Sequence, residues 1–373
     1  MIITGEVSGD LIGASLISEL KILNPELNIK GIGGNKMQAE GMELLFHTDQ
    51  MAFLGFIEVV KHLPFISKVK KKLLKVVEDE KINCIVLIDY PGFNLNIAKK
   101  LKRLGVIIIY YVSPQIWAWA GGRIKKVKKL VDKMLVVFPF EVDFYSKENV
   151  NVEYVGHPLA ERINKYKFLS KENFFSKFNL DLHKEILLVM PGSRKQEVKE
   201  IFQETIKAAN RLAEKFNMQI VVARSKNIDE NYFHQLSGTE KFFLIEDHNY
   251  ELMNYSKFGI IKSGTSTLEA GYFSLPMVVV YKTSPLTYLI GKQLIKLDRI
   301  AMVNILLNEM VIPELIQHEA NAENIFNAAS KILSDNRSYV QMKSKLDNVR
   351  ELLNGNNASG NAARSIIKIL NEY

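Results

Sequence analysis

The amino-acid sequence predicts an α/β protein made of two tandem, doubly wound Rossmann-like domains followed by C-terminal helices. Short apolar runs rich in β-branched residues alternate with amphipathic stretches, which is typical of a parallel sheet covered by helices. This alternation extends over residues 1–158, stops in a polar stretch and restarts at residue 185. The length of 373 residues also fits two domains of roughly 150 residues each.

The first alternating region predicts a domain over residues 1–160, with a helix over Asp10–Leu23. Its clearest strand has the sequence CIVLID, because a continuous apolar run is typical of a strand buried on both faces. The strands predicted in this domain are Ile2–Thr4, Asn28–Gly31, Cys84–Asp89, Val106–Val112, Met134–Phe138 and Val152–Gly156.

The second alternating region predicts a domain over residues 185–335, with a helix over Lys195–Lys215. Residues 161–184 are polar and lysine-rich and are predicted to be a linker. Residues 336–373 are predicted to be helices that pack back on the first domain or on a second copy of the chain. The strands predicted in the second domain are Glu185–Met190, Gln219–Ala223, Phe242–Ile245, Phe258–Ile261 and Met277–Tyr281.

The composition is that of an ordinary globular protein and favours anionic ligands. The chain is 47% hydrophobic and 24% charged, which excludes a disordered tail, a fibre and a small disulfide scaffold. A net charge of +8 favours nucleotides, phosphorylated substrates, acidic lipid surfaces or nucleic acid. The single cysteine, Cys84, cannot form an intramolecular disulfide. With neither an apolar run of about 18 residues nor a signal peptide, we expect a cytoplasmic protein.

Two loops that follow strands of the first domain contain candidate chemical groups. The glycines of Gly5–Asp10 permit a tight turn, and Ser8 or Asp10 could cap the next helix. The same pattern also fits an ordinary turn between a strand and a helix. Asp89 ends a buried strand, where ligands of open α/β sheets bind, so it could be a general base. Alternatively, Asp89 caps the following turn.

The loop Pro191–Arg194 follows the first strand of the second domain. Gly192 allows the backbone to approach a ligand closely, and the guanidinium of Arg194 matches the geometry of a phosphate. A cation at the start of a helix opposes the helix dipole, which favours a bound anion between them. The alternative is a solvated arginine.

The segment Lys262–Ala270 has the same arrangement of strand, polar glycine loop and helix. The amides and hydroxyls of Thr265 and Thr267 could hold a diphosphate, and Glu269 could accept hydrogen bonds from a ribose. Alternatively, these residues only cap the helix. Because two such loops occur in one domain, a nucleotide-diphosphate site is the better interpretation.

Several blocks, in order along the chain, resemble the lipid-A-disaccharide synthase family: GEVSGD, GIGGNKMQAEGME, LIDYPGFN, YVSPQIWAWAGGR, FPFE, VGHPL, PGSR, SGTSTLEA and Pro285 through Asn304. The resemblance implies an inverting glycosyltransferase of the GT-B type that acts in lipid A biosynthesis without a metal or other cofactor. Such an enzyme joins UDP-2,3-diacylglucosamine to 2,3-diacylglucosamine 1-phosphate, forms a β-1,6-linked disaccharide 1-phosphate and releases UDP.

The same resemblance implies roles for individual residues. Asp89 corresponds to the proposed general base for the acceptor 6-hydroxyl. The segment Asn354–Tyr373 corresponds to one that is exchanged between two protomers, so a swapped homodimer is expected. Residues expected to face the sugar crevice are Glu6, Ser8 and Asp10. Residues expected to bind UDP are Gly192, Ser193, Arg194, Gly264, Thr265, Thr267, Glu269 and Asn304.

The apolar segment Met51–Ile66 is followed by a run of lysines, which is typical of an element at a membrane surface. The alternative is a core helix with a solvated charged face. We predict peripheral association with the anionic inner membrane. Residues expected to contact acyl chains or headgroups are Phe53, Leu54, Phe56, Ile57, Lys70 and Lys71.

Two other functions stay open from the sequence. A UDP-N-acetylglucosamine 2-epimerase would also bind UDP in the second domain, but it would need acid and base groups on one UDP-sugar and no lipid surface. A nucleic-acid-binding protein would use the lysine runs, although no RRM, KH or helix-turn-helix pattern accompanies them. No cluster of His, Cys and carboxylate residues has metal-ligand spacing, so no metal is predicted.

Overall fold

The computed structural model describes residues 1–51, 63–114, 116–119, 123–284, 288, 298–353 and 357–372. The chain divides into two compact units. Unit 1 comprises Met1–Glu161 and Gly355–Tyr373, and unit 2 comprises Arg162–Asn354. Each unit contains one parallel sheet with helices packed around it, which confirms the predicted fold class.

The strands of unit 1 are β1 (Ile2–Ile3), β2 (Lys30–Gly33), β3 (Glu43–His47), β4 (Cys84–Ile88), β5 (Ile107–Tyr111), β6 (Lys133–Val136) and β7 (Val152–Tyr154). They form a sheet in the order β3-β2-β1-β4-β5-β6-β7, and every pairing is parallel. All residues of β4 and β5 are buried, which explains their continuous apolar sequences. The order of the strands reverses between β1 and β4.

The strands of unit 2 are β8 (Glu185–Met190), β9 (Met218–Arg224), β10 (Phe243–Glu246), β11 (Ser256–Lys262), β12 (Met277–Tyr281) and β13 (Glu314–Ile316). Their order is β10-β9-β8-β11-β12-β13, again with parallel pairings throughout. The order reverses between β8 and β11. Ligands of such sheets bind beyond the carboxyl ends of the two strands at this reversal, which is the topological switch point.

Helices connect and cover the strands in both units. Within the described ranges, short 3₁₀ helices occupy Thr48–Gln50, Lys102–Leu104 and Gln317–Glu319. The described α-helices are α1 (Val7–Leu23), α2 (Asn35–Ala39), α3 (Leu63–Asp79), α4 (Pro91–Leu101), α5 (Ile116–Trp119), α6 (Ile124–Leu130), α7 (Phe140–Lys147), α8 (Pro158–Lys165), α9 (Lys171–Lys177), α10 (Lys195–Phe216), α11 (Glu230–Ser237), α12 (Asn249–Tyr255), α13 (Thr265–Tyr272), α14 (Met302–Leu306), α15 (Ala322–Ser334), α16 (Asn336–Leu353) and α17 (Ala358–Glu372).

The C-terminal helix α17 packs against α1 within unit 1. The backbone N–H of Ser359 donates to the Glu161 carboxylate at 3.0 Å, and the Ser365 hydroxyl donates to Glu153 at 2.9 Å. Ala362 and Ala363 are fully buried, because small side chains allow the two helices to approach closely. Helix α17 is therefore an integral part of the packing of unit 1. Its exchange with a second protomer stays a prediction.

The structure differs from the predicted boundaries in two places. Residues 161–184 were predicted to be a linker, but they contain α9, whose Phe174 and Phe175 are buried within unit 2. Residues 336–373 were predicted to pack on the first domain or on a second copy of the chain, but α16 belongs to unit 2, where Leu346 and Val349 are fully buried. In both segments the charged residues are numerous and the buried apolar residues are few, so the sequence shows no clear apolar face.

The packing of α9 gives a test of the corrected boundary. The Phe174 ring lies 5.1–6.2 Å from the rings of Phe175, Phe178, His248 and Tyr255. Phe174→Ala should lower the free energy of unfolding by about 3–5 kcal/mol, because it leaves a cavity in the core. Leu182→Ala, at a half-exposed position of the same segment, should lower it by less than about 1 kcal/mol. Equal effects in urea denaturation would indicate a linker.

Candidate active site

Asp89 lies directly after β4, at the switch point of the first sheet. Asp89 and Tyr90 both have left-handed backbones, with φ of 45° and 46°, which non-glycine residues rarely adopt. Two hydrogen bonds to the Asp89 carbonyl oxygen hold this turn, one from the Tyr110 hydroxyl at 2.5 Å and one from the Asn94 amide at 2.8 Å. Helix α4 begins immediately afterwards, with Pro91 as its first residue. Backbone strain is thus concentrated at the predicted general base, as is common in functional sites.

The surroundings of Asp89 favour its neutral form. Burial of the half-buried carboxyl, together with the charge of Glu6, raises the pKa of Asp89 to about 6. The carboxylate is therefore more basic than an ordinary aspartate, yet it is largely ionised at pH 7. These are the properties that a general base requires. The structure thus brings together Glu6 and Asp89, which lie 83 positions apart in the chain.

The loop Gly5–Asp10 packs next to the Asp89 turn, and Gly5 is essential to this arrangement. A Cβ atom at Gly5 would overlap the Tyr90 ring, so only glycine allows the loop to pass the ring. Helix α1 begins at Val7, earlier than predicted, with Glu6 as its N-cap residue. Glu6 and Ser8 are both exposed, and neither side chain caps the helix.

Asp10 corrects one prediction, because its carboxylate neither caps α1 nor is open to a ligand. It is 6% exposed and accepts the backbone N–H groups of Gly34 at 2.7 Å, Lys36 at 3.1 Å and Met37 at 3.0 Å. These donors lie at the start of α2. Asp10 is therefore a structural residue that joins the loop after β2 to α1.

Glu141 is a buried residue that the sequence analysis did not assign to the site. Its carboxylate accepts hydrogen bonds from the Ser113 hydroxyl, from the Trp117 indole N–H at 3.0 Å and from the backbone N–H of Phe138 at 3.1 Å. The chain between Ser113 and Trp117 follows β5, the strand next to β4, and Val112 before it has a φ of 61°. Glu141 thus holds the Ser113 and Trp117 side chains beyond the end of β5, the strand next to β4. The position of this glutamate at the end of the apolar block FPFE could have indicated that it is buried.

In unit 2, the loop Pro191–Arg194 follows β8, and Glu197 of α10 organises it. Gly192 has a φ of 115°, and a Cβ atom there would lie 2.6 Å from the Glu197 carboxylate. The backbone N–H of Ser193 donates to Glu197 at 3.1 Å. The guanidinium of Arg194 lies 3.4 Å from the same carboxylate, and its side chain is 60% exposed. Arg194 is therefore accessible to solvent, and its role as a ligand of an anion stays a prediction.

The second predicted nucleotide loop follows β11, the other strand at the switch point of unit 2. Gly264 and Thr265 are exposed at the start of α13, and no side chain caps that helix. Their backbone amides are thus available to an anionic ligand. Thr267, in contrast, is fully buried, and its hydroxyl donates to the Gly264 carbonyl oxygen at 2.8 Å. Thr267 shapes the loop rather than presenting a free hydroxyl.

Two further residues predicted to bind UDP have partners in unit 2. Glu269 lies 3.4 Å from the Arg162 guanidinium, and burial raises the pKa of Glu269, an effect that Arg162 opposes. Asn304 is fully buried, accepts the backbone N–H groups of Val311 and Ile312, and donates to Glu314 at 2.8 Å. Asn304 therefore holds its segment in place and has no free polar atom for a diphosphate, which corrects its predicted role.

Comparison with known proteins decides the family. A family model described as lipid-A-disaccharide synthetase matches residues 1–369. The lipid-A-disaccharide synthase of Geobacter metallireducens is 38% identical over 373 residues, which covers 99% of this chain and 97% of the relative. That of Coxiella burnetii is 36% identical over 371 residues, with coverage of 99% and 98%. The chain belongs to the lipid-A-disaccharide synthase family. It is a glycosyltransferase of lipid A biosynthesis.

Solved structures confirm the GT-B fold of this synthase family member. UDP-GlcNAc 2-epimerase from Neisseria meningitidis, bound to UDP-GlcNAc, has a TM-score of 0.67 at 14% identity and covers 100% of this chain and 99% of that one. The glycotransferase of kitacinnamycin has a TM-score of 0.64 at 12% identity, with coverage of 98% and 97%. At such low identity the likeness concerns the fold alone, so the sequence relatives, and not these structures, identify the family.

Other predictions concern the membrane and metals. Phe53, Leu54, Phe56 and Ile57 lie outside the described residues. Among the helices that the structure describes, none is long and apolar enough to cross a membrane. Within the same described ranges, no group of three or more His, Cys, Asp or Glu residues is arranged to hold a metal ion.

The pairing of Glu6 with Asp89 predicts a pH effect in this synthase family member. If Asp89 is the predicted general base, it must be ionised to accept a proton, so kcat/KM should fall as the pH decreases through about 6. Glu6→Gln removes the negative charge that helps to raise the Asp89 pKa, so this acidic limb should move to lower pH. The control is Glu26→Gln, at an exposed position beyond the far end of α1. A limb that Glu6→Gln leaves in place would contradict the pairing.

Proposed function

We propose that the protein transfers 2,3-diacylglucosamine from its UDP-linked donor to 2,3-diacylglucosamine 1-phosphate, with inversion and without a metal. The products are the β-1,6-linked disaccharide 1-phosphate and UDP. The observation that carries this proposal is the strained Asp89 turn at the switch point, in a chain of the lipid-A-disaccharide synthase family. The substrates of the family supply the identity of the sugars.

In the proposed reaction, the Asp89 carboxylate accepts the proton of the acceptor 6-hydroxyl as its oxygen attacks the anomeric carbon of the donor. The new bond joins this oxygen to the anomeric carbon, and the bond from that carbon to the UDP oxygen breaks. The electron pair of the broken bond leaves with UDP, and Asp89 later returns its proton to water. Because attack and departure occur on opposite faces of the sugar, the single displacement inverts the anomeric configuration.

Charge develops on the departing UDP, and unit 2 offers groups that can stabilise it. The exposed Arg194 guanidinium can form charge-assisted hydrogen bonds to the diphosphate, and the amides at Gly264 and Thr265 can donate to it. We propose that the backbone at Gly192 and Ser193 lies along the diphosphate and that Glu269 binds the ribose. The Thr267 hydroxyl supports the Gly264 loop, whereas Asn304 holds the segment around residues 311–314.

The reaction can be tested through UDP release from purified protein. We expect UDP to appear only when the diacylated donor and the monophosphate acceptor are both present. Asp89→Asn should lower kcat by about 10²–10⁴-fold with little change in donor affinity, because it removes the base and not a binding group. EDTA should leave the wild-type rate unchanged.

Four outcomes would contradict this proposal. UDP release that does not depend on the acceptor would exclude transfer to it, and interconversion of UDP-GlcNAc without an acceptor would indicate an epimerase. Near-normal turnover of Asp89→Asn would exclude Asp89 as the base. A rate that EDTA abolishes and a divalent ion restores would exclude the metal-free mechanism.

We also propose that unit 1 binds the anionic surface of the inner membrane from the cytoplasm through a lysine face on α3, α4 and α6. Helix α4 contacts both other helices, and the only acidic residues on the three are Glu78 and Asp79, at the end of α3. This density of cations supports attraction to acidic headgroups. The exposed lysines of the lysine face are Lys68, Lys71, Lys72, Lys75, Lys99, Lys100, Lys125, Lys126, Lys128 and Lys129.

Lys70 differs from the other lysines of α3. Its ammonium group donates to the Asn96 side chain at 2.7 Å and lies 5.5 Å from the centre of the Phe93 ring. Burial, with a smaller effect of Lys100, lowers its pKa. Because Lys70 is bound within the protein, the headgroup contact predicted for it is better assigned to Lys71 and Lys72.

Charge reversal tests the lysine face. Each lysine near an anionic surface contributes about 1 kcal/mol, so Lys71→Glu with Lys72→Glu should weaken binding to phosphatidylserine vesicles by about 30-fold or more. The melting temperature should stay nearly unchanged, because both side chains are exposed. The matched control is Lys331→Glu with Lys343→Glu, at exposed positions of unit 2. Equal flotation of both double variants would contradict membrane binding through this face.

A further inference from the structure

Glu197 connects the two nucleotide loops of unit 2. It lies in the first turn of α10, after the Pro191–Arg194 loop. Lys262, the last residue of β11, immediately precedes the other loop. The Lys262 ammonium lies 3.0 Å from the Glu197 carboxylate, and their side chains are 19% and 18% exposed. This ion pair therefore joins the end of β11 to the start of α10, the helix that follows β8 after the Pro191–Arg194 loop.

The same carboxylate has two weaker contacts in the Pro191–Arg194 loop. The Ser193 backbone N–H donates to it at 3.1 Å, and the Arg194 guanidinium lies 3.4 Å from it. Arg194 is 60% exposed, so water screens its attraction to Glu197 far more than that of Lys262. Lys262 is thus the principal partner of the carboxylate, and Arg194 can turn to another anion without leaving Glu197 unpaired.

The ion pair between Lys262 and Glu197 reduces an electrostatic repulsion that Glu197 would otherwise cause. Glu197 stabilises the Pro191–Arg194 loop, because its carboxylate accepts a hydrogen bond from the Ser193 backbone N–H and its side chain packs beside Gly192. A carboxylate next to a diphosphate would nevertheless repel it, by an amount that is large when the groups are partly buried. A cation placed on Glu197 removes the repulsion. The ammonium of Lys262 is held there, 5.7 Å from the centre of the Tyr281 ring.

We propose that Lys262 is a positioning residue for the nucleotide, because it neutralises Glu197, which can then hold the Pro191–Arg194 loop without opposing a diphosphate. The proposal rests on the proposed binding of UDP in unit 2. It assigns to Lys262 a role in affinity that depends on Glu197 and on the phosphate groups of the ligand. A purely structural salt bridge would not have this dependence.

Calorimetric titration with UDP and with uridine tests the proposal. Lys262→Met keeps the apolar stem against Tyr281 and removes the charge, so UDP should bind about 10-fold more weakly, while uridine affinity changes less than about 2-fold. Adding Glu197→Gln to this variant removes the repulsive charge and keeps an acceptor for the Ser193 amide. The double variant should bind UDP within about 3-fold of wild type.

Two further variants complete the design. Lys262→Arg keeps the charge and should retain UDP affinity within about 3-fold. Arg211→Met is the matched control. Arg211 lies on α10, the helix that contains Glu197, and its guanidinium forms an ion pair with Glu323 of α15 at 2.6 Å. Arg211 lies 14 positions from Glu197, or about 21 Å along the helix, and its substitution should not change UDP binding.

The outcomes separate this inference from the proposed function. If wild-type protein does not bind UDP, both fall. If wild type binds UDP and Lys262→Met binds it equally well, only the inference falls. Equal weakening of UDP and uridine by Lys262→Met, with a lowered melting temperature, would indicate a structural salt bridge and overturn it. A double variant as weak as Lys262→Met would also overturn it, because the defect would not come from the exposed charge of Glu197.

Discussion

The reversal of strand order in each sheet is the constraint on which both candidate sites depend. Between β1 and β4, and again between β8 and β11, neighbouring parallel strands continue into loops that lead away from each other. The backbone N–H and C=O groups beyond these strand ends no longer pair with a neighbouring strand. Their hydrogen bonds must come from loops, from helix ends or from a bound ligand. The Asp89 turn and the Pro191–Arg194 loop each follow a strand at such a reversal.

Carboxylates at these edges divide into two kinds according to what satisfies them. Asp10, Glu141 and Glu197 each accept two or more hydrogen bonds, and each of these carboxylates connects separate segments of the chain. At Asp89, burial and the neighbouring charge of Glu6 outweigh a hydrogen bond from the Tyr90 backbone, and they favour the proton-bound form. The carboxylates with several hydrogen bonds stabilise the structure around them. A carboxylate with a raised pKa, such as that of Asp89, is suited to proton transfer.

Much of the fold could be predicted, because buried strands have distinctive sequences. Strands β8 and β12 agree with prediction residue by residue, since both are nearly continuous apolar runs. Strands β3 and β13 were not predicted, because none of their residues is fully buried and neither has a long apolar run. The loops of the site could be predicted from their glycines. The partners of Asp10 and Glu197, which lie 24 and 65 positions away, could not, because they depend on how the sheets assemble.

The division of labour between the units explains how one architecture can serve different reactions. Binding a UDP-sugar requires loops such as those of unit 2, and an epimerase and a glycosyltransferase share this requirement. A transferase needs in addition a base for the hydroxyl of a second substrate, and a lipid substrate needs access from a membrane. The Asp89 turn and the lysine face both belong to unit 1. In the proposed reaction, the features that distinguish this chain from an epimerase of the same fold therefore lie in unit 1, and the fold alone does not identify the reaction.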